Sequence, residues 1–249
     1  MINGKSQEKP RTIVLLPTYN EAGNLEPMMQ AIHQNFAEAH ILVIDDNSPD
    51  GTGKIADKAS EADPEKRIHV AHRPGKQGLG VAYRFAYRWA LEHGYERVIQ
   101  MDCDFSHDPA DLPRMCDLLD RYPVVVGSRR VPGGGCDGWP WYRNVISTAG
   151  SIYARTVLSS PIHDLTTGFK GYRAEALSLL PLDQLRTDGF GFQIEVTSAL
   201  LALGVQIYEM PIRFVDRKVG KSKMSTKIFA EAMLKVWSIR NDVRRLGRA

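Results

Sequence analysis

Along its first half the chain alternates short apolar runs with polar stretches and segments of helical periodicity. Thr12-Ile-Val-Leu-Leu16 reads as a first buried strand ended by Pro17, and residues 21–37 carry Leu25, Met28, Met29, Ile32 and Phe36 at helical spacing. Ile41–Ile44 predicts a second strand, followed by a helix to about Ala62. Ile68–Ala71 and a helix over Gly80–His93 come next, then a strand at Val98–Met101. A helix over Pro109–Asp120 follows, with Asp108 as N-cap and Pro109 at the first helical position, before a strand at Val124–Val126. Strands separated by helices of about 10 to 15 residues imply right-handed crossovers, an α/β fold and a mainly parallel central sheet.

After Arg130 the pattern changes. Residues 131–141 form a turn-rich loop carrying Trp139 and Trp141; helical periodicity resumes over Tyr142–Leu158 and Phe192–Leu203. One final strand is expected over Ile207–Val215. No repeat or linker interrupts the chain, so residues 1–249 are expected to form one domain.

Composition, 43% hydrophobic and 24% charged, is that of an ordinary globular protein. The net charge of +3 is unevenly spread: from Arg217 onward ten Lys or Arg residues are opposed only by Glu231 and Asp242. Such an end suits phosphate ligands or an anionic membrane surface, and no nucleic-acid partner is expected. Within residues 227–249, Ala232, Val236, Ile239, Val243 and Leu246 recur at helical spacing among basic residues. Two readings of this stripe stand: an interfacial amphipathic helix, or a helix packed on the protein's own core. Trp139 and Trp141 likewise suit either a bilayer interface or closure of their own loop. Three cysteines without metal-ligand spacing favour a reducing, cytoplasmic setting. The polar first residues lack a signal-peptide core, and no run approaches the roughly 18 apolar residues of a spanning helix. Any membrane contact is therefore expected to be peripheral or through a partner.

The candidate chemistry lies at predicted strand ends. Asp102-Cys103-Asp104 places two carboxylates one residue apart where open α/β sheets bind their ligands. Oxygen ligands of this kind suit Mg²⁺ or Mn²⁺, although such pairs also serve as helix caps or solvated loop charges. Pro17-Thr-Tyr-Asn-Glu21, Asp45-Asp46 and Gly127-Ser-Arg-Arg130 follow three other strands, and one sheet would gather all four clusters along one edge.

Together these strings resemble the polyprenyl-phosphate (dolichyl-phosphate) mannosyltransferases of glycosyltransferase family 2. The resemblance is carried by Leu16-Pro-Thr-Tyr-Asn-Glu21, Asp45-Asp-Asn-Ser-Pro-Asp-Gly-Thr52, Gly78-Leu-Gly-Val-Ala-Tyr83 and Met101-Asp-Cys-Asp-Phe-Ser-His107. Asp164-Leu-Thr166 and Phe214-Val-Asp-Arg217 with Ser222-Lys223 complete it, over about residues 12–226. It implies a GT-A-type fold and an inverting, metal-dependent enzyme that moves mannose from GDP-mannose to a polyprenyl phosphate. The setting it implies is the cytoplasmic face of a membrane, with or without a membrane-anchoring subunit.

By the same resemblance, nucleotide contacts fall on Pro17, Tyr19, Glu21, Ile44 and Asp46. Metal and diphosphate contacts fall on Asp102, Asp104 and the Cys103 backbone. Arg129, Arg217 and Lys223 would meet phosphate and the reaction centre, with Arg129 and Arg143 at the acceptor phosphate. Three departures stand out: Cys103 where alanine is common, Ser106 where some members supply a glutamine as third metal ligand, and Thr167 where glycine is common. A phosphate acceptor is already largely dianionic near neutral pH, so it needs positive charge rather than a general base. Arg129, Arg130, Arg143 and Arg217 would provide that charge. Two other readings remain: transfer of glucose or another sugar from a UDP-sugar, and a nucleotide-sugar-binding subunit without catalysis.

Overall fold

The computed structural model describes residues 10–216 and 226–246, with side chains from Lys235 onward in the second segment. The apolar runs become strands β1 (Thr12–Thr18), β2 (His40–Asp45), β3 (Ile68–His72), β4 (Arg97–Gln100) and β5 (Val124–Ser128). With β7 (Lys170–Arg173) and β8 (Ile207–Pro211) they form one sheet in the order β3-β2-β1-β4-β7-β5-β8. Only β7 runs antiparallel to its neighbours, so the sheet is mainly parallel.

Both faces are covered, which is why the strands read as continuous apolar runs. Val14, Leu16, Val43 and Ile99 face helices α1 (Leu25–Asn35), α2 (Thr52–Ala62) and α4 (Leu112–Leu119). Ile13, Leu15, Leu42 and Val98 face α3 (Leu79–Glu92), α6 (Ala174–Ser178) and α7 (Gly189–Ala202). A third cluster, with Ala154, Ile194, Val236 and Ile239, joins α5 (Trp141–Leu158), α7 and α8 (Thr226–Leu246).

Four expectations need correction. β1 continues through Pro17, because pairing with β4 ends at Leu15 and no N–H is needed on that side beyond it. The first helix begins at Leu25 rather than at residue 21, since Glu21–Asn24 form a turn in which Asn24 N–H donates to the Glu21 carbonyl. The last strand is two: β8 pairs with β5, while β9 (Arg213–Val215) pairs with β6 (Gly135–Asp137). Strand β7, Lys-Gly-Tyr-Arg, shows no apolar run, yet it lies mid-sheet with Lys170 fully buried. The Asp108 cap forms as read: its carboxylate accepts from Ala110 N–H at 2.9 Å, although the first turn is 3₁₀.

Of the two readings of α8, packing on the protein's own core is the one realised where side chains are described. Val236 and Ile239 are buried, and Val243 and Leu246 pack against core clusters. Ala232 lies outside the described side chains.

Candidate active site

The parallel strands β1, β2, β4 and β5 place their carboxyl ends on one sheet edge. A cleft of about 270 Å³ there is lined by Pro17, Tyr19, Glu21, Asp46, Asp102, Cys103 and Asp104. Ile44 is absent from the lining, contrary to expectation. It pairs with Pro17 across the β1–β2 register, and its side chain is fully buried in the core. A larger hollow of about 550 Å³, between α3 and Leu182–Leu185, takes in none of the predicted residues.

At the carboxylate pair the chain shapes its own loop. Asp104 is buried, and its Oδ1 accepts from Ser106 N–H at 3.1 Å and from the Ser106 hydroxyl. Ser106 thus orients Asp104 instead of presenting itself as a third ligand. Phe105 between them adopts φ 59°, a left-handed conformation that turns the loop and is uncommon for an aromatic residue. Asp102 N–H donates to Nδ1 of buried His107 at 3.1 Å, and burial pushes His107 down to about 4 despite the pull of Asp104. His107 is neutral near pH 7 with its hydrogen on Nε2. Thr167 keeps an ordinary negative φ, its hydroxyl accepting from Phe169 N–H at 3.2 Å, so it fits where a glycine is common.

The donor set fits a hard divalent cation. Among the described residues no group of three or more His, Cys, Asp or Glu converges on one point. Two carboxylates that leave most coordination positions to substrate phosphates and water match the habit of Mg²⁺. Asp102 and Asp104 are the residues that would hold it.

Elsewhere in the cleft lining, Asp46 is buried and bound to Arg73 Nη1 at 2.7 Å; burial raises its pKa against the opposing charge of Arg73. Lys76 Nζ lies 4.5 Å from the centre of the Tyr19 ring. Glu21 accepts from Asn24 Nδ2 at 2.8 Å, while its own N–H donates to Thr52 Oγ1. Asp188 accepts from Gly80 N–H at 2.6 Å and ties the starts of α3 and α7 together. Gly78, at φ 104°, sits so close that a Cβ would lie 2.1 Å from the Asp188 carboxylate.

Beyond Thr166 stands a wall of arginines. Arg129 is buried, with Nε and Nη2 each 2.7 Å from the Asp164 carboxylate and Nη2 also on Thr166 Oγ1. Burial would raise the Asp164 pKa, but Arg129 overcomes it and holds the carboxyl at about 2. Arg129 is therefore not the open phosphate ligand expected, because its charge is already matched inside the fold. Arg143 binds Asp216 at 3.0 Å and stacks on Trp139 at 4.1 Å, so its charge is shared as well. Arg130 donates to Asn144 and Ser147 and has no hydrogen-bonded carboxylate among the described residues. Arg217 and Lys223 lie outside the described residues.

Residues 13–180 match the family described as glycosyl transferase family 2. The chain belongs to this family. It is 44% identical over 242 residues to the polyprenol monophosphomannose synthase of Mycolicibacterium smegmatis, covering 96% of this chain and 90% of the relative. To the undecaprenyl-phosphate mannosyltransferase of Micrococcus luteus it is 44% identical over 226 residues, covering 91% and 92%. In fold it is similar to glucosyl-3-phosphoglycerate synthase of Mycobacterium tuberculosis, solved with Mn²⁺ and UDP. The TM-score is 0.66 at 18% identity, covering 94% of this chain and 80% of that one. A mannosyltransferase of Pyrobaculum calidifontis, solved with GDP-Man and Mn²⁺, aligns at TM-score 0.58 and 18% identity, covering 97% and 74%. The family-2 chain is a glycosyltransferase with a GT-A-type fold.

In this glycosyltransferase, several residues that shape the site carry no local signal in the sequence. Arg73 and Lys76 lie in an aperiodic loop, and Gln193 hides in a helix buried on all sides. Asp164 lies in one of the matching strings and Arg129 is itself an expected contact, but their pairing across 35 residues is visible only in three dimensions.

Proposed function

We propose that this enzyme transfers mannose from GDP-mannose to the phosphate of a polyprenyl phosphate, inverting the anomeric centre, with Mg²⁺ or Mn²⁺ bound. The observation that supports it best is a two-sided site. Every carboxylate lining the cleft (Glu21, Asp46, Asp102 and Asp104) belongs to the donor side. Beyond Thr166 lie Arg129 and Arg143, paired with Asp164 and Asp216, and Arg130, with no hydrogen-bonded carboxylate among the described residues. A phosphate acceptor needs that positive charge and no base. The strong likeness to two lipid-phosphate mannosyltransferases favours the same acceptor and sugar.

In this reading Tyr19, Glu21 and Asp46 orient the nucleotide, and the Cys103 backbone lies beside the diphosphate. Asp102 and Asp104 would hold a divalent cation, which would supply Lewis-acid neutralisation of the leaving diphosphate. Arg130 and Arg143 hold the acceptor phosphate, while Arg129, locked to Asp164, keeps the wall in place. Arg217 and Lys223 assist where charge develops on the leaving group. We read the chain as one catalytic unit.

The same reading places the enzyme peripherally on the cytoplasmic face of a membrane, and the apolar face for it is on α5. Trp141, at 78% exposure, leads a stripe of Tyr142, Val145, Ile146 and Ile152, all exposed. The adjoining α8 carries basic Lys235, Arg240, Arg244 and Arg245, whose charge suits anionic lipid. None of the described helices is long and apolar enough to cross a membrane. Co-sedimentation with anionic vesicles should fall sharply in Trp141→Ser/Ile146→Ser; unchanged sedimentation would leave attachment to an anchoring subunit.

The test of the reaction is radiolabel transfer from GDP-mannose and, separately, UDP-glucose into polyprenyl phosphate, with Mn²⁺ or with chelator. Metal-dependent label from GDP-mannose is expected. Label from UDP-glucose alone would change the sugar, and none from either would favour a binding subunit.

A further inference from the structure

Gln193 of α7 lines the floor of the donor cleft and is 2% exposed. Its neighbours dictate how its amide points. Gln100 Nε2 lies 2.9 Å from the Gly168 carbonyl, which can only accept, so the Gln100 nitrogen must face it. The second N–H of that nitrogen goes to Gln193 Oε1 at 2.8 Å. Gln100 Oε1 in turn accepts from the hydroxyls of Tyr87 and Tyr172. The Gln193 backbone is pinned too: Lys170 Nζ donates to its carbonyl at 2.8 Å.

The oxygen of the Gln193 amide is thus used by Gln100, and the nitrogen is turned away from it. That nitrogen is buried and has no hydrogen-bond partner among the described residues. A buried donor left unmade is costly, and native proteins keep few of them without a purpose. Here the network holds one in place beside a ligand cleft.

We propose that the Gln193 side-chain amide is a specificity-determining contact, donating a hydrogen bond to a hydroxyl oxygen of the donor hexose. The proposal rests on the nucleotide-sugar reading above. With the nucleotide against Tyr19 and Asp46 and the diphosphate at Asp102 and Asp104, the sugar would extend over the part of the lining formed by Thr166, Gly168, Gly189, Phe190 and Gln193. A neutral N–H donor suits a neutral hydroxyl oxygen, while it offers nothing to a cation. Phe190, partly exposed at 39%, gives the pyranose carbons an apolar surface. A site built to hydrogen-bond a hydroxyl rejects the analogue that lacks it far more strongly than an apolar pocket rejects a methylene.

Calorimetric titration in Mn²⁺ tests this, with GDP, GDP-mannose and the 2-, 3-, 4- and 6-deoxy forms of GDP-mannose against wild type, Gln193→Leu and Gln193→Met. GDP should bind all three proteins within about twofold, and GDP-mannose should weaken about tenfold or more in both variants. One deoxy analogue should bind wild type as weakly as GDP-mannose binds the variants. Unchanged GDP-mannose affinity in the variants would overturn the proposal, as it would if a buried water served the amide. A parallel loss for GDP would also overturn it, by reducing Gln193 to a packing role. Should neither variant fold, equal binding of all four deoxy analogues to wild type is the overturning result. If wild type binds UDP-glucose and not GDP-mannose, the donor reading falls instead. The contrast of UDP with UDP-glucose then decides Gln193.

Discussion

At the Asp102–Asp104 pair the acidic groups are positioned by residues close in the sequence: Ser106 orients Asp104, and His107 takes the Asp102 N–H. At the arginine wall two charges are met from far along the chain, Arg129 by Asp164 and Arg143 by Asp216. The carboxylate pair at the end of β4 is therefore a local device. The acceptor side depends on tertiary pairing that brings loop 131–141, α5 and β9 together. Substituting the charges of the first should leave the fold intact, whereas breaking the buried Arg129–Asp164 pair of the second should not.

The largest effect is expected at Asp104. Asp104→Asn keeps an oxygen for Ser106 but removes the charge, so transfer should fall by about a thousandfold or more. Its metal-free melting temperature should barely move. Transfer assays paired with thermal melts check this, and a large stability loss would erase the contrast between the two regions.

Asp164→Ala should do the opposite. Buried Arg129 would lose its only carboxylate among the described residues, at a cost of about 3–5 kcal/mol in denaturant unfolding. The double variant Asp164→Leu/Arg129→Met should recover most of that. Because the folded Asp164 pKa of about 2 lies below its ordinary value of 3.8, the pair's contribution is complete above pH 3.8 and disappears as pH falls through 2. A single variant as stable as wild type would mean that the wall is not preassembled.

Arg143 is partly exposed and shared with Asp216, so Arg143→Ala should raise the apparent KM for polyprenyl phosphate by about tenfold and leave GDP-mannose affinity unchanged. Equal losses for both substrates would merge the two regions into one.

The last effect is a slope. Burial pulls Lys170 down to about 7 from its ordinary 10.5, with Asp164 opposing. Between those values the unfolded chain binds the extra proton, so the stability linked to Lys170 is complete above 10.5 and lost as pH falls through about 7. Relative to Lys170→Met, wild type should gain up to about 1.4 kcal/mol per pH unit across that window. Parallel pH–stability curves would contradict this.

What could be read in the sequence follows the same division. The strands β1, β2, β4 and β5 announce themselves because burial on both faces demands apolar runs, and the residues ending them carry the carboxylates. Strand β7 gave no such signal, since Lys170 satisfies its ammonium with the Gln193 carbonyl and Thr197 hydroxyl rather than by exposure. The stripe on α8 was visible as a period, but period alone cannot say whether a lipid or the protein's own α5 and α7 covers it. Ile44 was assigned to the cleft by resemblance, while the strand register turns its side chain into the core. The pairing of Arg129 with Asp164, across 35 residues, is a property of the folded chain alone.

The most direct test of the central claim, that the acceptor is a phosphate held by positive charge without a general base, compares two lipids of equal chain length. Transfer from labelled GDP-mannose is measured to polyprenyl phosphate and to the corresponding free polyprenol, in Mn²⁺ and identical vesicles. The account predicts label in the phosphate lipid alone. Label in the free alcohol at a comparable rate would contradict it, because activating a hydroxyl would require a base that this arrangement does not assign.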